Sequence, residues 1–173
     1  MSIWPFRRSR ASEDAEKLLN AVIGASRQAR FFGPGRVPDT LEGRFELVTL
    51  HASLALVRLR SDSGLAPLAQ EFTDQLFKSF DAGLREEGVG DSAVPKRMHK
   101  LAGSFYGRLN GYAEALKTGQ VDALSAAVTR NVLGAEGAFA ADLAAELFAL
   151  WQRQAAAPAE ALLEPVGWRR AQA

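Results

Sequence analysis

Lys96 and Arg97 follow directly on Pro95, with Lys100 one turn further, and Pro95 suits the first turn of a helix because its missing N–H would be unpaired there anyway. The positive end of a helix dipole disfavours cations unless an anion lies close by. Two sources of that anion are open. Glu86, Glu87 or Asp91 could supply it within the chain, or the helix start could take a phosphate, a lipid headgroup or an acidic partner. In the first case the cations serve the fold; in the second their chemistry is binding.

Reaction chemistry finds little support. Gly88-Val89-Gly90-Asp91-Ser92-Ala93 fits G-x-G-x-x-A, but a charged helical pattern precedes it where the dinucleotide fingerprint needs a buried strand. The chain has no cysteine, so disulfides, thiolate metal sites and cysteine nucleophiles are excluded. His51 and His99 lie in different helical segments without ligand spacing, and Glu86 and Glu87 are adjacent and project differently. No enzyme activity, cofactor or metal is expected.

The segment from Asp81 to Tyr112 must position these groups. Gly88 suits the left-handed residue that ends one helix, and Asp91 or Ser92 can cap the next. At 100° per residue, Met98, Leu101, Ala102, Phe105, Leu109, Tyr112 and Leu116 share a face, which is the expected core face. Lys96, Lys100, Gly103, Gly107 and Gly111 form a stripe on the opposite face. Each interior glycine costs roughly 1 kcal/mol against alanine, so the stripe gives up about 3 kcal/mol of helix stability. A close-approaching backbone would justify that loss. It could belong to this chain or to a partner.

The remaining pattern is helical throughout. Ser12 to about Arg30 reads as a first helix. Asp39-Thr40-Leu41-Glu42 reads as a capping box that opens a second, running to about Ser61. That second helix is apolar on two sides, Leu41, Phe45, Val48, Ala52, Leu56 and Leu59 against Leu47, Leu50, Leu54 and Val57, so it is expected at the centre. Arg44, His51 and Arg58 recur along the polar seam between these faces, either for internal hydrogen bonds or for a partner. Pro67 starts a third helix with a ridge of Leu68, Phe72, Leu76, Phe80 and Leu84. Gly119 ends the fourth; Val121 to Val132 and Phe139 to Trp151 mark a fifth and a sixth. No segment alternates long enough for a strand.

The fold class expected is therefore all-α, a single-domain bundle of about six helices. Residues 1–11 are expected to be a basic and aromatic tail, 12–154 the helical domain, and 155–173 a mobile C-terminal tail. A length of 173 residues, 47% of them hydrophobic and 24% charged, is ordinary for one globular domain. A net charge of +1 argues against a dedicated nucleic-acid binder. No run is long enough to cross a bilayer. The start lacks a secretory h-region, so export by that route is not expected. Ile3, Trp4 and Phe6 beside Arg7, Arg8 and Arg10 suit peripheral contact with a membrane edge, or simply a loose tail.

Four motifs occur together: D-T-x-E-G-R-F-E (Asp39–Glu46), R-E-x-G-V-G-D (Arg85–Asp91), V-P-K-x-M (Val94–Met98) and F-Y-G-R (Phe105–Arg108). In this combination the chain resembles the ubiquinol–cytochrome c chaperone family, over roughly Leu18 to Val132. The resemblance implies an all-helical chaperone for assembly of the cytochrome bc1 complex, with newly made cytochrome b as client. It also implies a small partner protein and the ribosome exit region as further contacts. The lack of a long presequence resembles a bacterial member, which implies a cytoplasmic location at the inner face of the membrane. Matched residue by residue are Asp39, Glu42, Gly43, Arg44, Phe45, His51, Arg85, Gly88, Gly90, Asp91, Pro95, Lys96, Met98, Tyr106, Gly107 and Arg108. Gly103 and Gly111 depart from the pattern. The candidate partner-binding set joins the two readings: Asp39, Glu42, Gly43, Arg44, His51, Arg85, Gly88, Asp91, Lys96, Arg97, Lys100, Gly103, Tyr106, Gly107, Arg108 and Gly111. A lipid- or nucleotide-binding module using the basic helix start is the alternative.

Overall fold

Helix α2, Leu41–Leu59, is the axis of the fold, as its two apolar faces predict. Leu47, Leu50, Leu54, Leu56 and Leu59 are fully buried, each contributing about 1.5–3 kcal/mol of burial. The computed structural model describes residues 9–134 and 137–170. Around α2 lie α1 (Arg10–Ser26), α3 (Ala66–Glu86), α4 (Val94–Thr118), α5 (Val121–Val128) and α6 (Ala138–Ala156). The chain is all-α: among the described residues there is no strand, only an isolated bridge between Phe32 and Val37. Helix α1 packs along α3, α4 packs on α2 and α5, and α6 packs on α5. No helix among the described residues is long and apolar enough to cross a membrane.

Local chemistry sets the ends, and several differ from expectation. Helix α1 begins at Arg10, because the Ser9 hydroxyl accepts the Ser12 N–H. The expected tail boundary thus falls inside the helix. The membrane-edge reading of Ile3, Trp4, Phe6, Arg7 and Arg8 lies outside the described residues. Helix α1 stops at Ser26, and Ala29–Phe31 forms a separate 3-10 turn that buries Phe31. At α2 the cap is Thr40, whose side chain accepts the Gly43 N–H, so Asp39 is released to pair with Arg44. Gly88, at φ +80°, ends α3 as expected; the Gly88 and Val89 N–H groups donate back to Arg85 and Leu84. Neither Asp91 nor Ser92 caps α4. It starts at Val94 without a side-chain cap, and Asp91 is drawn to Arg85 instead.

The C-terminal segment corrects the expectation of mobility. Beyond α6 the turns Ala159–Leu163 and Pro165–Trp168 pack against α1 and bury Leu162 and Trp168. The Trp168 indole donates to the Leu162 carbonyl at 2.8 Å. Arg58 ties the segment to the centre, donating to the carbonyls of Gln154 and Ala157 at 3.1 Å each. Its place in the polar seam of α2 is thereby explained as internal hydrogen bonding.

Candidate binding cleft

The cleft lies where the starts of α2 and α4 meet the end of α3. Its volume is about 580 Å³. Phe45, Phe80, Leu84 and Leu101 give it an apolar lining. Helical spacing puts Leu101, with Met98 and Ala102, on the core face. All three are only half-buried, and of them Leu101 lines the cleft.

Charge surrounds that lining. Arg97, Lys100 and Arg108 come from one flank of α4; Glu42 comes from α2, and Glu86 and Glu87 from the end of α3. Arg44 also faces the cleft, held by Asp39 through Nε at 2.7 Å, and this pairing keeps the Asp39 carboxyl below its usual range. Deeper in, Arg108 donates from Nε and Nη2 to the two Glu46 oxygens at 2.5 and 2.6 Å. Burial pushes the Glu46 carboxyl up, and its bonds to Arg108 only partly offset this. The Arg108 guanidinium also lies 5.9 Å from the Phe45 ring centre.

The anion sought for the start of α4 is not supplied within the described chain. Lys96, Arg97 and Lys100 have no ion-pair partner among the described residues, and neither do Glu42, Glu86 and Glu87. Asp91, the remaining internal candidate, is engaged by Arg85, which also holds Asp81.

The glycine stripe runs along the outer crest of α4. Gly103, Gly107 and Gly111 are exposed, and a methyl group added at any of them would meet nothing within 4 Å. Among the described residues, no helix packs on them. Lys96 stands on the same crest. On the flank of α4 turned away from the cleft, Tyr106 is 43% exposed and stacks on Phe77 at 5.9 Å. These two rings border a second, wider groove of about 780 Å³ along α3.

The structure thus brings together Glu42, Arg44, Arg97, Lys100 and Arg108 in one cleft, with Asp39 bracing Arg44. Arg85, Gly88 and Asp91 build the loop at its end. Gly43 is buried below it, under the Pro38 carbonyl. His51 stands apart, a correction to its place in the set. It is 2% exposed, donates from Nδ1 to the Leu47 carbonyl at 2.8 Å, and lies between Phe31 and Trp168. Glu46 lines the cleft but is missing from the candidate set read from the sequence. Its motif is legible, but the pairing with Arg108 spans 62 positions and no local pattern announces it.

The described residues form an all-α bundle with a charged, apolar-lined cleft, and among them no group of three or more histidines or carboxylates could hold a metal. The family model for ubiquinol-cytochrome C chaperones matches residues 35–173. A crystal structure of the Cbp3 homolog from Brucella abortus is similar with a TM-score of 0.78 and 40% identity, covering 89% of this chain and 87% of that one. No curated protein matches the chain by sequence. The chain belongs to the ubiquinol-cytochrome C chaperone family, as its four motifs suggest.

Proposed function

We infer that the chain is an assembly chaperone for the cytochrome bc1 complex and that it captures newly made cytochrome b at the cytoplasmic face of the membrane. Family membership supports the assembly role. The observation that carries the capture role is the open crest of α4, where Gly103, Gly107 and Gly111 meet nothing within 4 Å. Helices of a membrane protein, before insertion, offer apolar flanks and small residues to water. Holding them takes close van der Waals contact, since a gap of about 0.5–1 Å already forfeits a quarter to a half of the dispersion energy. Glycines on the crest permit that approach, and Lys96 and Lys100 offer charges to fix its register. A small partner protein and the ribosome exit region are further contacts on this reading.

Deleting the gene is expected to lower assembled bc1 complex and its heme b spectrum while leaving subunit transcripts unchanged. Normal complex abundance in the deletion strain would remove the assembly role. Gly107→Leu tests the crest. Because the site is open, helix propensity alone makes the change neutral or stabilising by up to about 1 kcal/mol. The variant is expected to fold as the parent does, by circular dichroism and thermal melting, and to lose most cytochrome b in pull-down. Undiminished capture would move the docking face elsewhere.

A further inference from the structure

We propose that the cleft between α2, α3 and α4 takes an amphipathic helix of the client that carries carboxylates along one flank and cations along the other. This deepens the capture role above and rests on it for the identity of the client.

Charge and its arrangement carry the proposal. Arg97 and Lys100 on α4 form no ion pair among the described residues, and neither do Glu42, Glu86 and Glu87 on the ends of α2 and α3; Arg44, bound to Asp39, feels Glu87 only as a weaker, longer-range attraction. Between these two sets lie Phe45, Phe80 and Leu101, none of them fully buried. Charges of opposite sign flanking half-buried apolar side chains complement a helix whose apolar stripe runs between flanks of opposite sign. At the bottom, Arg108 spends Nε and Nη2 on Glu46, while Nη1 makes no hydrogen bond among the described residues. A carboxylate of the incoming helix can accept from it. An anionic lipid fits less well, since a phosphate on Arg97 and Lys100 would face the carboxylates of Glu42, Glu86 and Glu87 within the same cleft.

The test uses the full chain and an 18-residue helical peptide with leucines along one stripe, glutamates on one flank and lysines on the other, followed by fluorescence anisotropy. Wild-type protein is expected to bind it, and Arg97→Glu/Lys100→Glu and Glu86→Lys/Glu87→Lys are each expected to weaken binding at least tenfold. All four sites are exposed, so circular dichroism and melting should match the wild type. A control peptide with glutamates on both flanks should bind wild type more weakly but Glu86→Lys/Glu87→Lys more tightly. No binding of the mixed peptide, or binding unchanged in both variants, overturns the proposal. So does retention of phosphatidylglycerol vesicles that is lost in Arg97→Glu/Lys100→Glu and strengthened in Glu86→Lys/Glu87→Lys, which would assign the cleft to lipid. Cytochrome b pull-down with the same variants separates the two readings. If the peptide results hold and wild type captures no cytochrome b, the cleft stands and the client is wrong.

Discussion

Gly43→Ala is expected to destabilise the protein by about 3 kcal/mol, the upper end of overpacking costs. A β-carbon at Gly43 would sit 2.1 Å from the Pro38 carbonyl oxygen and 3.0 Å from a methyl of Val37. Neither neighbour can yield cheaply. Pro38 is backbone held against the first turn of α2, where Thr40 caps Gly43 itself, and Val37 is fully buried. Alanine would gain about 1 kcal/mol of helix propensity over glycine, and losing the cap alone costs about as much, so the clash decides the sign. Gly107→Ala is the control: the same change on an open helix face should raise stability by up to about 1 kcal/mol. Urea denaturation of both variants checks the pair. A Gly43→Ala midpoint at or above wild type would mean that the start of α2 can move away from Pro38.

This contrast shows what the sequence disclosed. The helices were legible because their apolar residues repeat at helical spacing. Two apolar faces put α2 at the centre, and burial along both confirms it. Gly119 was legible as the end of α4, where it stands at φ +70°, but Gly43 and Gly107 do not show their surroundings in sequence. Only the fold separates a glycine pressed against a carbonyl from one on an open crest. The burial of Trp168 was equally hidden, because prolines on either side of a short apolar stretch read as loop until α1 is placed beside it. Of the cleft, the charges at the start of α4 were visible. Their lack of internal partners was not, since pairing of Asp91 with Arg85 and of Glu46 with Arg108 is a property of assembled helices.

The same C-terminal packing predicts a loss of stability in mild acid, centred on His51. Its ring lies 5.6 Å from Phe31 and 6.3 Å from Trp168, centre to centre, at 2% exposure. Nδ1–H donates to the Leu47 carbonyl, so a second proton must go onto Nε2 among aromatic rings. Burial therefore pushes the His51 pKa from 6.5 down to about 4; the Leu47 bond and the nearby Glu146 raise it, and Arg30 lowers it further, without reversing the effect. Glu146 and Arg30 largely cancel, being joined as a two-bond ion pair. With the folded pKa below the unfolded one, the unfolded chain binds the proton first as pH falls. Stability is intact above about pH 6.5 and drains away toward pH 4, by about 3 kcal/mol in all, since each tenfold loss of proton affinity on folding is worth about 1.4 kcal/mol. Carboxylates titrate over part of the same range, Glu46 among them with its raised pKa. The informative quantity is therefore the difference between wild type and His51→Leu, which keeps an apolar side chain in the site and has nothing to protonate. That difference should move by about 3 kcal/mol in favour of the variant between pH 7 and pH 4, measured by urea denaturation at each pH. A difference that stays constant across this range would mean that His51 accepts its second proton in the folded chain without cost, and that the Phe31 and Trp168 contacts open to admit water.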